Sequence, residues 1–179
     1  EDEPLLSGAP VLTRKPFLII MNVGEQEVQD RRRLEAVEQR YAKQRLHFVQ
    51  VSAKIEEELS ELDDPAERAA FLKELGITES AIDGLTRASY DTLGLISYFT
   101  VGADEVRAWT VRRGASAAEA GGVIHSDIER GFIRAELITY DDLITLGSEQ
   151  AVAGAGRAQL KSKEYVVQDG DILNFRFNV

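Results

Sequence analysis

Two short apolar runs on either side of one charged, amphipathic stretch constrain the fold of this chain more than any other feature. Phe17 to Met21 contains no polar residue and stops at Asn22, and Leu46 to Val51 is a second, mostly apolar run that stops at Ser52. A strand that is apolar at nearly every position is covered on both faces, as in a parallel sheet. Between the runs, Arg31 to Lys43 sets Leu34, Val37, Tyr41 and Ala42 among charges, the pattern of an amphipathic helix. The stretch therefore predicts a strand-helix-strand unit with Asn22 and Ser52 at the carboxyl ends of its strands.

Further along, Ile55 to Leu62 reads as helix. Asp64 followed by Pro65 is an N-cap with proline in the first turn, and Gly76 is placed to end that helix. Thr78 reads as the cap of another helix running to Leu93. From Ile96 the texture changes to short β-rich runs: Ile96–Val101, Glu105–Val111, Ile133–Thr139, Glu164–Val167 and Ile172–Phe177. Gly102-Ala103-Asp104 and Asp169-Gly170-Asp171 suggest hairpin turns, and Ser116–Ala120 and Tyr140–Ala155 supply helical pieces. The expected fold class is α/β over residues 1–95 followed by a compact α+β module over residues 96–179.

Composition removes several function classes. Lys and Arg number 21 against 31 Asp and Glu, a net charge of -10, which argues against broad charge-driven binding to nucleic acid or anionic membrane. The longest apolar run is far short of the roughly 20 residues that a membrane span needs. With 0 cysteines, thiolate catalysis, disulfides and Cys-ligated zinc are excluded, and a cytoplasmic location is expected. His47 and His125 are too isolated to suggest a metal site, and no nucleophile-base pair is visible.

Ligands of open α/β sheets collect at the carboxyl ends of strands, where loops converge on a crevice. Asn22 carries an amide that both donates and accepts, suited to a purine edge, and Glu25 is a pure acceptor. Ser52-Ala53-Lys54 follows the second strand, where backbone N–H groups of the turn can reach a base from the other side. The alternative reading is that Asn22 only ends a strand and Glu25 is a solvated acid.

The order N-x-x-E after one strand and S-A-K after the next, together with "KPFLIIMNVGE", "VSAKIEEELSELDD", "FLKELGITES", "YDTLGLISYFT", "EVRAWTVRRG", "AGGVIHSDIERGFIRAE" and "VVQDGDILNFRFNV", resembles the carboxyl-terminal half of the YchF, or Obg-like ATPase, family. The likeness runs from about Leu12 to Val179. It implies the end of a P-loop NTPase domain followed by a TGS domain, a ubiquitin-like β-grasp module. It also implies that Asn22, Val23 and Glu25 are the base-recognition loop, with Val23 where ordinary GTPases have Lys, and that Ser52, Ala53 and Lys54 close over the base. Loss of the guanine-selective Asp fits a preference for ATP over GTP. ATP and Mg2+ are the cofactors implied for the complete family protein, which hydrolyses ATP to ADP and phosphate as a switch in translation or stress responses.

No G-x-x-x-x-G-K-[ST] occurs in the 179 residues, so the phosphate cradle is missing. The chain is expected to be a carboxyl-terminal fragment, inactive alone, whose opening "EDEPLLSGAPVLTRKP" matches the interior of the family's NTPase domain. The implied partners are adenine nucleotide and, through the TGS domain, the ribosome or RNA, with no membrane. Arg107 and Arg113 alternate with Trp109 and Val111 along one strand, and His125 and Arg130 lie in a polar turn that Ser126 or Asp127 is expected to cap. These four are the candidate RNA or ribosome contacts, local and salt-sensitive because acids outnumber bases from Ile96 onward. The competing reading is a non-catalytic protein-interaction module that uses the β-grasp sheet.

Overall fold

In the computed structural model, which describes residues 12, 15–102 and 105–178, the chain divides into two units, Glu1–Leu93 and Gly94–Val179. In the first, Phe17–Asn22 (β1) and Leu46–Val51 (β2) pair in parallel, with Asn22 opposite Val51. Arg32–Tyr41 (α1) connects them and buries Leu34, as the amphipathic spacing requires. Ala53–Ser60 (α2), Pro65–Glu74 (α3) and Ala81–Leu93 (α4) follow.

Local chemistry sets the ends of these helices. The Asp64 carboxylate accepts from the Ala66 N–H at 2.8 Å and Pro65 occupies the first helical position, where its missing N–H forfeits nothing. Gly76 ends α3 at φ 65°, a left-handed conformation that favours glycine over any residue with a Cβ. Thr78 does not cap α4, as its position suggests; Ser80 does, its hydroxyl accepting from the Asp83 N–H at 3.1 Å. The hydroxyl must sit one turn before the N–H it serves, and Ser80 has that spacing.

The second unit is a mixed five-stranded sheet. Leu95–Val101 (β3) and Val106–Arg112 (β4) form an antiparallel pair, followed by Ala117–Ile124 (α5), Ser126–Arg130 (α6) and Phe132–Ile138 (β5). Tyr140–Leu146 (α7), Glu149–Gly154 (α8), Gln159–Lys161 (β6) and Ile172–Phe177 (β7) complete it. The strand order is β4-β3-β7-β5-β6, with β7 parallel to β3 and antiparallel to β5, the arrangement of a β-grasp sheet. Residues 103 and 104, to which the sequence assigns part of the β3–β4 turn, lie outside the described residues. So do nearly all of the opening residues before Lys15.

Alternation along the strands splits the unit's interior between two faces. Ile96, Tyr98, Val111, Ala135, Leu137 and Leu173 face α5, where Ala117 and Ala120 let the helix sit close. Tyr98 is fully buried, its hydroxyl donates to the Ala120 carbonyl at 2.7 Å, and burial pushes it well above the ordinary phenol range. Ile138 and Ile172, each one residue out of phase with that set, pack with Val152 of α8 on the other face.

Two expectations fail here. Glu164–Val167 is not a strand: both edges of β7 are taken by β3 and β5, so it cannot form a hairpin with β7, and Val166 makes only an isolated antiparallel bridge to Ser116. The segment instead ties down the entrance to α5, with the Ala117 N–H on the Tyr165 carbonyl at 2.8 Å and the Val167 N–H on the Ala115 carbonyl at 3.0 Å. Asp169 to Asp171 is accordingly a turn into β7 without a hairpin partner, and the sheet edge goes to the unheralded β6. Tyr140–Ala155 is two helices, because Gly147 adopts φ 81° and Ser148 starts α8 by capping the Ala151 N–H at 3.2 Å.

Candidate functional site

Parallel pairing in register places the loops after β1 and β2 side by side. The Val23 N–H extends the ladder to the Val51 carbonyl at 2.8 Å. Asn22 Oδ1 accepts from the Ala53 N–H at 3.0 Å, which uses one of the free donors at the start of α2. Among the described residues the Asn22 Nδ2 group has no hydrogen-bond acceptor. Gly24 leads into a 3-10 turn, Glu25–Glu27, and from it the Glu25 carboxylate forms an ion pair with the Lys54 ammonium through Oε1. Glu58, one helical turn further on α2, lies 3.7 Å from the same ammonium. The adjacent Glu25 carboxylate, then Glu58, holds the Lys54 ammonium above its ordinary range.

All six residues expected at a base-binding edge are thus at one edge, in different roles. Asn22, Glu25 and Lys54 contribute side chains, whereas Val23 and Ala53 contribute backbone N–H groups. Ser52 is 2% exposed and precedes α2 without capping it; its hydroxyl has no hydrogen-bond partner among the described residues. Ser52 is also the one member of the six that borders the neighbouring cavity of about 580 Å³.

Gln50 was not singled out by its sequence position, although an amide inside an apolar strand was a usable signal. Its Nε2 lies within hydrogen-bond distance of the Glu27, Val28 and Asp30 carbonyls, at 2.9, 3.1 and 3.2 Å. It therefore pins the far end of the N-x-x-E loop to β2. The Arg32 side chain grips the Asp30 carboxylate at 2.6 Å and holds it at about 2, so that exit stays charged over all ordinary pH.

In the second unit, Arg107 lies over the Trp109 ring, its guanidinium carbon 4.3 Å from the centroid, on the edge strand β4. Arg107 and Trp109 share a face, as their alternation predicts. Arg113 follows the strand, its N–H bonded to the Gly94 carbonyl at 2.7 Å. His125, and neither Ser126 nor Asp127, caps α6: its Nδ1 accepts from the Asp127 N–H at 3.2 Å. A histidine ring has the reach of a capping side chain, and the extended backbone at position 125 aims it back at the helix. Arg130 is drawn to the Asp127 carboxylate at 2.7 Å, which partly neutralises the small polar surface shared with His125.

Among the described residues no three His, Cys, Asp or Glu groups converge as a candidate metal cluster. No described helix is long and apolar enough to cross a membrane.

Comparison with known proteins agrees on both units. Residues 95–178 match the family YchF-GTPase_C, described as a protein of unknown function (DUF933). The ribosome-binding ATPase YchF of Bacillus subtilis is 47% identical over 182 residues, covering 100% of this chain and 50% of that protein. The protein of the same name from Haemophilus influenzae is 48% identical over 168 residues, with 94% and 46% covered. Among solved structures, the YchF GTPase of Schizosaccharomyces pombe aligns with a TM-score of 0.75 at 33% identity, over 90% of this chain and 43% of that one. A GTP-binding protein from Pyrococcus horikoshii shares the fold with a TM-score of 0.63 at 17% identity, over 92% and 46%. The chain spans about half the length of the curated relatives it matches.

Proposed function

The chain belongs to the YchF family, of which it carries the carboxyl-terminal portion, and on that premise we propose that its first unit is the adenine-side wall of an ATP site and its second a TGS module that docks on the ribosome. The observation that carries the first half is the bond from the Ala53 N–H to Asn22 Oδ1. It commits the amide's acceptor to the protein and leaves the Nδ2 donors for a ligand. Adenine offers an acceptor, N7, beside a donor, the 6-amino group, whereas guanine offers two acceptors there. Nδ2 of Asn22 donates to N7, and the Glu25 oxygen that Lys54 leaves unengaged accepts from the 6-amino group. Against guanine the same carboxylate faces the O6 acceptor, so the loop disfavours GTP.

In the complete family protein ATP, with Mg2+, supplies the phosphates to be hydrolysed; this chain's residues hold and select the base. Without a phosphate cradle, the chain alone releases no phosphate from ATP above buffer, and turnover in a phosphate-release assay would contradict that. Base selection is tested by titrating the isotope-labelled chain with AMP and with GMP. AMP shifts the Ala53 amide and the Asn22 side-chain resonances, GMP shifts them less, and Asn22→Ala removes the difference. Equal shifts with both nucleotides would overturn the assignment.

The second half of the reading is supported by relatives named ribosome-binding and by the Arg107–Trp109 stack, which presents a cation and an aromatic face together on an edge strand. Arg107, Arg113, His125 and Arg130 are its proposed contacts. Binding of the chain to purified ribosomes should weaken steeply with added salt and weaken again on Arg107→Ala. A salt-independent affinity would favour an apolar protein interface instead.

A further inference from the structure

The turn that carries Glu25 is fastened to the β2 side at both ends. At its start, the Val23 N–H donates to the Val51 carbonyl at 2.8 Å, and Asn22 Oδ1 accepts from the Ala53 N–H at 3.0 Å. Its own bonds close the turn, with the Glu27 N–H on the Gly24 carbonyl at 3.0 Å and the Asp30 N–H on the Glu27 carbonyl at 2.9 Å. At its end one side chain gathers three carbonyls: Gln50 Nε2 lies 2.9, 3.1 and 3.2 Å from those of Glu27, Val28 and Asp30. Glu25 is therefore suspended between anchors that belong to neighbouring residues of one strand, Gln50 and Val51.

The chemistry of the second anchor has only one orientation. Three acceptors surround one amide atom of Gln50, so that atom is the nitrogen; an oxygen placed there would face three carbonyls with no proton to offer. The other amide atom, Oε1, is shielded from solvent and has no hydrogen-bond partner among the described residues. A methionine would fill similar space and strand no acceptor, so what the amide contributes at this position is its donors, and these serve the loop. Gln29 adds a separate tether, from its side-chain amide to the Leu75 carbonyl at the end of α3, a helix that supplies no residue to the base-side edge.

We propose that Gln50 is a positioning residue for base selection. The proposal rests on the base-side reading above, in which Asn22 donates to N7, an acceptor that adenine and guanine share, and Glu25 distinguishes the 6-amino group of adenine from the O6 of guanine. Those two contacts have different supports. Asn22 is fixed by Ala53 and does not depend on Gln50. Glu25 projects from the middle of the turn, and its Lys54 partner sits on a long, exposed side chain that follows the carboxylate without fixing it. A contact that tells donor from acceptor needs its heavy atoms within about 3.2 Å. A turn hinged at Val23 without its second anchor on β2 lets the carboxylate leave that range. Loss of the Gln50 donors therefore spares base binding and removes base selection.

The test titrates AMP and GMP into the isotope-labelled whole chain and reads the preference for AMP as the ratio of the two dissociation constants. Gln50→Met, close in volume and without donors, should lower that ratio by at least about threefold, the low end of what one lost hydrogen bond is worth. Both nucleotides should still shift the Ala53 amide of this variant, and its Glu27 and Asp30 amides should exchange faster with solvent. Gln50→Lys, whose ammonium returns donors to the carbonyls, should recover most of the ratio, and Gln29→Ala, which frees the loop from α3 alone, should keep it. Gln50→Asn, which retains an amide one methylene short of the carbonyls, decides the matter if the methionine variant does not fold. A parent chain that binds AMP and GMP equally overturns the base-side reading and this proposal with it. A parent that prefers AMP beside a methionine variant that prefers it as strongly overturns the role of Gln50 alone, as does a lysine variant without recovery or a Gln29→Ala variant that loses as much preference.

Discussion

Replacing Gly131 by alanine probes how tightly α6 is joined to the sheet that it serves. Gly131 sits between α6 and β5 at φ -95°, a conformation open to any residue, so its requirement is steric and not conformational. A Cβ built there falls 2.1 Å from the Asn178 carbonyl oxygen and 2.8 Å from its carbon. Both are backbone atoms, and no side-chain rotation relieves them. The end of β7 must move, which stretches the 2.9 Å bond from the Asn178 N–H to the Gly131 carbonyl. Overpacking of this kind costs about 1–3 kcal/mol and a strained backbone hydrogen bond about 1 more, so we expect roughly 2–4 kcal/mol. Trp109, the single tryptophan, lies in the same unit, so its fluorescence reports that unit's unfolding in urea without interference from the first. Gly154→Ala is the control: a Cβ there meets nothing within 4 Å, and in α8 it should be neutral or slightly stabilising. A Gly131→Ala variant within about 0.5 kcal/mol of the parent would mean that the turn is looser than described and that α6, with His125 and Arg130, is not held by β7.

Asn22→Ala removes the acceptor for the Ala53 N–H, at a solvent-accessible site where water replaces it, so stability should fall by only about 0.5–1.5 kcal/mol. The Ala53 amide should exchange faster with solvent, and an unchanged rate would show that the two strand-end loops are not joined there. The Tyr165 hydroxyl, partly buried and donating to Asp171 at 2.9 Å, is pushed from 10.0 up to about 12. Because the folded state resists its ionisation, its contribution is intact below pH 10 and is lost as pH rises from 10 toward 12; a phenolate absorbance titration placing all tyrosines near 10 would refute this.

The ability of sequence reasoning to find the base-side edge follows from how local its causes are. Apolar residues at successive positions mark a strand, and the motif residues follow those strands directly, so Asn22, Glu25 and Ser52 to Lys54 are legible before any contact is known. The residues that support them are not. Gln50 is one polar letter in a strand, and its role depends on three carbonyls more than 19 positions away along the chain. His125 offers no capping signature by residue type; the extended backbone before α6 makes it one. Glu164–Val167 has the composition of a strand and is denied that state by competition, because β3 and β5 already hold both sides of β7.

By itself, then, the sequence determined which apolar runs pair as the parallel strands of the first unit, where α3 starts and stops, the absence of a phosphate loop from these residues, and the family to which the motifs belong; double coverage of those strands it did not, since Phe17 and Ile20 of β1 are exposed. Those properties are written in spacing, caps and contiguous motifs, each readable over a few residues. Only the tertiary structure decided that Asn22 reaches Ala53, that Gly131 must be bare, and that Gln50 ties the N-x-x-E loop to β2. Each of those depends on atoms brought together from distant parts of the chain, and proximity of that kind is set by packing and strand order.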